Sequence, residues 1–217
     1  MPIPDEDFGR KYRQEGQRPI GGWLIDRYFA TVTALAGPCV PAGETSGLVV
    51  LELGSGEGFS TERLKRLLPA DVDFHASDVD ENLVRATASR NPSVPVDVES
   101  VYAIRRPDDS VDLVLLLEVL EHLEDPAAAL REIRRVTKPG GFLVMGVPRE
   151  PLWRVLNMLR GKYLRALGNT PGHLNHWSRR GVTQFVESHY GPVLSVQPTA
   201  PWTLLRATPE QTQEPHA

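Results

Sequence analysis

Val49-Val50-Leu51-Glu52-Leu53-Gly54-Ser55-Gly56-Glu57-Gly58 is the stretch on which the fold is decided. Its first five residues have the near-continuous apolar character of a buried parallel strand, and they run straight into a turn with three glycines. Residues 59–68 then read as a helix. Alternate glycines let a backbone pass close to a ligand, and the first N–H groups of the helix point toward it. Glu52 narrows the ligand. A carboxylate two residues before the first glycine would repel a pyrophosphate, whereas it suits a cation. The spacing Gly54-x-Gly56-x-Gly58 also departs from the G-x-G-x-x-G of dinucleotide-binding turns, which disfavours hydride transfer.

Outward from this turn, apolar runs at 72–77, 94–98, 111–117, 142–147 and 193–196 read as strands, and 202–206 as an antiparallel edge strand. Helical spacing appears at 22–36, 81–90, 126–136 and 178–189. Strand and helix alternate with crossovers long enough for parallel pairing, so the expected class is α/β with a doubly wound, mostly parallel seven-stranded sheet. Ligands of such sheets lie beyond the carboxyl ends of the strands. That rule selects Glu52, Gly54, Ser55, Gly56 and Gly58 after the first strand and Asp78 after the second. Asp78 is placed to take two ribose hydroxyls. The competing role is at the helix N-terminus, which Asp80, Glu81 and Asn82 also suit.

Three further segments follow in order: Arg106-Pro107-Asp108-Asp109-Ser110-Val111-Asp112-Leu113-Val114, then Glu118-Val119-Leu120-Glu121-His122-Leu123, then Leu130 to Gly141, ending Thr137-Lys138-Pro139-Gly140-Gly141. Pro139 is expected to end the helix there, and the glycines to allow the reversal into the next strand. With the first turn, these segments resemble the class I S-adenosylmethionine (SAM) methyltransferases of the type 11 kind, over 49–148. The resemblance implies a Rossmann-like methyltransferase fold with SAM as methyl donor. Glu52 and the turn Gly54, Ser55, Gly56 and Gly58 would hold its methionine part. Asp78 and Val79 would take the ribose, Ser100 and Val101 would flank adenine beside Tyr102, and Glu118 would face both cofactor and acceptor. Many relatives carry an acidic residue where this chain has Ser100.

Glu118, Glu121 and His122 form an E-x-x-E-H cluster that resembles those of small-RNA 2′-O-methyltransferases and ubiquinone-pathway O-methyltransferases. There a divalent metal grips hydroxyl oxygens. His173, four residues before Trp177, resembles a fourth ligand, so the metal set is Glu118, Glu121, His122 and His173, for Mg²⁺ or Mn²⁺. Two other readings stand beside it. Similar segments occur in methyltransferases without a metal, where the His caps a helix or lines the pocket, and His122 or His173, with Glu118, could instead serve as catalytic acid–base groups. His176 is the weaker candidate, a partly buried neighbour of Trp177.

Between Arg149 and Arg180 an apolar stripe at helical spacing (Leu152, Trp153, Leu156, Leu159) accompanies seven basic residues and only one acid, Glu150. The segment at 149–180 reads as an acceptor-side insertion. Its basic part, 149–167, suits a phosphate, an anionic membrane or RNA, or else a lid helix whose charges meet water. The net charge of −4 argues against DNA and disfavours RNA. The domain division is an N-terminal helical lid at 1–46, a SAM-binding domain at 47–207 and a disordered tail at 208–217, with Tyr12 and Trp23 as lid contacts. One cysteine and no apolar run near the ~20 residues of a membrane span indicate a cytoplasmic protein. The expected function is methyl transfer from SAM to a small or lipophilic acceptor, at oxygen. The alternatives are metal-dependent RNA 2′-O-methylation and a non-catalytic SAM-binding partner protein.

Overall fold

The computed structural model describes residues 19–40 and 45–210. Seven strands, β1 (Val49–Leu53), β2 (Asp73–Asp78), β3 (Val96–Val98), β4 (Val111–Leu117), β5 (Thr137–Pro148), β6 (Val193–Gln197) and β7 (Trp202–Ala207), form one sheet in the order β3-β2-β1-β4-β5-β7-β6. β7 is antiparallel to both β5 and β6, and the remaining pairs are parallel. The run at 202–206 is therefore antiparallel as expected but lies inside the sheet, because β6 takes the edge position. Around the sheet pack α1 (Pro19–Ala36), α2 (Phe59–Leu67), α3 (Glu81–Arg90), α4 (Pro126–Val136), α5 (Leu152–Leu159) and α6 (Arg179–His189).

Both faces of the central strands are covered, which explains their unbroken apolar character. Leu51, Leu53, Val114 and Leu116 face a layer containing Leu130 and Ile133 of α4 and Val182 and Val186 of α6. Val50, Leu113, Leu115 and Val144 face the other way, against Ile25, Tyr28, Phe29 and Val32 of α1 and Leu64 of α2. Helix α1 is thus a structural layer of the sheet sandwich, which corrects the lid reading for residues 19–36. Tyr12 lies outside the described residues. Trp23 is on the exposed side of α1, with the Arg27 guanidinium over its ring.

Two further expectations are corrected. Helix α4 stops at Val136, three residues before Pro139, and Lys138 to Gly141 belong to β5, where the register against β4 shifts between Val111 and Leu113. Gly140, at φ 82°, absorbs that bulge. The tail at 208–217 begins with an anchored segment: the Thr208 N–H donates to Pro192 O and the Glu210 N–H to Tyr190 O. The rest of the tail, 211–217, lies outside the described residues.

Candidate functional site

The strand order reverses between β1 and β4, and the crevice beyond their carboxyl ends is where an open α/β sheet binds its ligand. The glycine turn is knitted to β2 there. Gly54 and Ser55 both donate their N–H groups to Ser77 O at 2.9 Å. Gly56 donates to Asp78 Oδ2 at 2.9 Å, and Asp80 to Asp78 Oδ1 at 3.1 Å. From the far side, Thr87 Oγ1 donates to Gly56 O, Arg90 Nε to Glu57 O and Asn91 Nδ2 to Gly58 O. Two positions demand glycine. Gly54 has φ 76°, and a Cβ there would run into Val119; Gly58 has φ 79°, and a Cβ would lie 2.9 Å from Thr87 Cα. Gly58 also caps α2 without a side-chain hydrogen bond, so the first turn of that helix presents backbone donors.

The two roles weighed for Asp78 are separated. Asp80 caps α3, its Oδ1 accepting from Asn82 and Leu83 N–H groups. Asp78 lies one step nearer the crevice. Each of its oxygens takes one backbone donor, and a carboxylate has room for about four. Val79 beside it is 72% exposed, an apolar residue on the lip of the crevice. Ser100 and Val101 follow β3 in a turn closed by the Ser100–Ala103 bridge, and Ser100 Oγ accepts the Tyr102 N–H. Tyr102 leans away toward α4, its hydroxyl accepting the Asp125 N–H at 3.2 Å.

Glu52 is buried at the end of β1. Its Oε2 accepts the Thr61 hydroxyl at 2.6 Å, while Oε1 has no hydrogen-bond partner among the described residues. Burial pushes its pKa up to about 7, against hydrogen bonds from Ser60 and Thr61, with the Asp78 charge adding to the rise. A lone buried acid of this kind favours a proton or a cationic ligand. The consequence is measurable. Below pH 7 the ligand-free protein holds Glu52 neutral, and a bound ammonium or sulfonium restores the ionised form. S-adenosylhomocysteine, which retains the ammonium, should therefore release a proton on binding near pH 6 and release none at pH 8.5. Calorimetry in buffers of different ionisation enthalpy reads this directly; equal proton counts at both pH values would remove Glu52 from the ligand. Without ligand, the raised pKa makes stability fall as pH rises from about 4.5 to 7, the range in which the unfolded chain ionises first.

Beyond β4, Glu118 takes φ 59°, uncommon for a residue with a side chain. Its Oε2 accepts the Trp202 indole N–H at 3.0 Å, and its Oε1 is buried without a partner among the described residues. Burial, then the neighbouring Glu121, holds its carboxyl well above the usual range. Leu120–His122 form a single 3-10 turn. Glu121 points inward, 1% exposed, with neither oxygen hydrogen-bonded among the described residues, and burial raises its pKa to about 8. His122 Nδ1 lies 2.9 Å from Gly172 O, which makes Nδ1 the protonated nitrogen of the neutral ring and Nε2 its acceptor. Burial lowers the pKa of both imidazoles, that of His173 to about 4.

The 149–180 segment brings His173 to this turn. Leu174 and Asn175 N–H groups both donate to Glu121 O, and Asn175 Nδ2 donates to Leu123 O. One ligand atom each from Glu121, His122 and His173 falls within 4.8 Å of the others. Glu118 is outside this group, held instead by Trp202. His176 is exposed, tied to Asn169 through Nε2 at 2.7 Å, which corrects its expected partial burial. An aromatic wall runs beside the cluster: His122 meets His173 edge-on at 5.0 Å, His173 stacks near Trp153, and Trp153 adjoins Trp202, which Tyr28 meets edge-on. Trp153 and Trp202 were not singled out as site residues. Each reads as ordinary core in its own apolar segment, and only the sheet pairing brings them together.

Comparison with known proteins agrees with this fold. The family described as "Methyltransferase domain" matches residues 51–145, from the middle of β1 to the middle of β5. Over this stretch, just under half of the chain, the protein is similar to SAM-dependent methyltransferases. A 2-methyl-6-phytyl-1,4-hydroquinone methyltransferase of Synechocystis sp. is 31% identical over 165 residues, which cover 73% of this chain and 50% of that protein. A ubiquinone biosynthesis O-methyltransferase of Paramagnetospirillum magneticum is 32% identical over 135 residues, covering 61% and 53%. The chain spans about half the length, or less, of the curated relatives it matches. A solved SAM-dependent methyltransferase from Aquifex aeolicus superposes with a TM-score of 0.68 at 19% identity, over 94% of this chain and 100% of that one, a likeness of fold. No helix among the described residues is long and apolar enough to cross a membrane.

Proposed function

We propose that the protein transfers the methyl group of SAM to an oxygen of a small, lipophilic, ring-bearing acceptor. The observation that carries this reading is the cluster of buried Glu121, half-buried His122 and buried His173, set against the aromatic wall and one strand away from the buried acid of Glu52, whose Oε1 has no partner among the described residues. The glycine turn and Glu52 orient the methionine part of SAM, backbone donors of α2 face its carboxylate, and Asp78 takes the ribose. Trp153 and Trp202 give a flat apolar surface on which a ring can lie.

The chemistry is an in-line displacement. The acceptor oxygen forms a bond to the methyl carbon as the carbon–sulfur bond breaks, S-adenosylhomocysteine leaves, and the hydroxyl proton passes to a base. Without a cation, His122 Nε2 is the acceptor atom suited to that proton; with a cation on that nitrogen, the acidified hydroxyl would lose its proton to solvent. Most of the rate comes from alignment in a water-poor pocket.

The donor set of one carboxylate and two neutral imidazoles fits a divalent cation, and two orphaned oxygens on a buried Glu121 are a reason for one to bind. A cation held there would lower the pKa of a hydroxyl on the acceptor. The hydroquinone and ubiquinone-pathway names of the relatives support phenolic acceptors.

The test is incubation with methyl-labelled SAM and a panel of phenols, hydroxyquinones and short RNAs, with chelator and with added Mn²⁺. The expected product is a labelled methyl ether of a phenol, suppressed by chelator and restored by Mn²⁺. S-adenosylhomocysteine binding with no turnover across the panel would instead mark a non-catalytic SAM-binding protein, and labelling of RNA ribose alone would replace the small acceptor.

A further inference from the structure

Helix α5 (Leu152–Leu159) is inside out for a surface helix. Its neutral polar residue, Asn157, is buried and spends its amide on Gly168 O and Thr170 Oγ1, whereas Leu159 on the outer side is 78% exposed. The short turn that follows, Leu164–Ala166, presents Leu164 and then Leu167, the latter 68% exposed. This is an ordered platform: Trp153 Nε1 donates to Thr170 Oγ1, and Arg154 Nε to Leu167 O, so the hairpin cannot fold its leucines inward without losing those bonds. Soluble proteins seldom expose several large apolar side chains together unless something covers them.

Charge indicates what does. Residues 151–174 hold four basic side chains, Arg154, Arg160, Lys162 and Arg165, and no acid, in a chain whose net charge is −4. Protruding leucines amid positive charge, in a chain otherwise negative, are complementary to an anionic lipid surface, where apolar side chains enter the interface and cations meet headgroups. The inner face of the same helix places Trp153 against His173 and Trp202, so the platform's back is the wall of the acceptor pocket.

We propose that the 152–167 hairpin docks the protein on anionic membranes, with the acceptor pocket opening beside the lipid. The link to a lipophilic acceptor rests on the function proposed above, but vesicle binding needs no turnover, so either idea can fail alone.

The experiment is vesicle flotation of the full chain, using phosphatidylcholine alone or mixed with phosphatidylglycerol. Flotation is expected only with the anionic vesicles and should weaken as salt shortens the screening length. A Leu159→Glu, Leu167→Glu double variant and, separately, Arg165→Glu should each reduce the bound fraction by about tenfold. S-adenosylhomocysteine affinity, read by calorimetry, should be unchanged in both and thereby certify the fold. No flotation of the wild-type chain, flotation indifferent to both variants, or capture of RNA in place of vesicles would each overturn the docking proposal.

Discussion

Replacing Asp78 with alanine is expected to weaken S-adenosylhomocysteine binding by about 100-fold, two charge-assisted hydrogen bonds to the ribose being lost at about 1.5 kcal/mol each. The variant also cuts the tie from Asp78 Oδ2 to the Gly56 N–H, which holds the glycine turn at its ligand-facing angle. Asp78→Asn separates the two contributions. Its single carbonyl oxygen can keep one backbone donor while its amide cannot accept, so affinity should fall by about tenfold. Calorimetry gives the affinities, and thermal unfolding without ligand shows whether the loop alone has suffered. Undiminished affinity in Asp78→Ala would refute the ribose assignment, because Asp80 is already committed to capping α3.

The second large effect concerns the buried cluster. His173→Ala should lower turnover by about 100-fold and abolish Mn²⁺ stimulation, as expected for loss of a ligand or acid–base group. SAM affinity should barely change, since nothing from His173 reaches the glycine turn. His176→Ala supplies the control: that ring is exposed and tied to Asn169, so turnover should stay within about twofold of wild type. If His173→Ala retained full turnover and its metal response, the cluster would have no part in the chemistry.

Much of this architecture was legible in the chain itself. The glycine turn, α3 and α4 were readable because their signals are local: positive-φ glycines, an Asp cap and a Pro at the first helical position. The inner place of β7 was not, since a strand's neighbour in a sheet is chosen by long-range pairing that no local pattern records. The same limit hid the Trp202 grip on Glu118, which joins residues 84 positions apart. Asp78 admits either a ribose role or a place at the helix N-terminus on sequence, and only the hydrogen bonds of Asp78 and Asp80 show which of them caps the helix. The bulge at Gly140 was misassigned for a related reason. A Pro-Gly-Gly run marks a change of direction, yet whether it interrupts a helix or kinks a strand depends on what the neighbouring strand offers.

The acceptor wall also begins and ends at one point. Arg149 and Trp177 form a parallel bridge, closed by the Glu150 N–H on Trp177 O, so the 27 positions from 150 to 176 leave and rejoin the body through a narrow neck. Such a neck makes the loop a cassette. Evolution or an engineer could exchange what lies above it, and with it the molecule that fits against the wall, while the glycine-turn end of the crevice stays untouched.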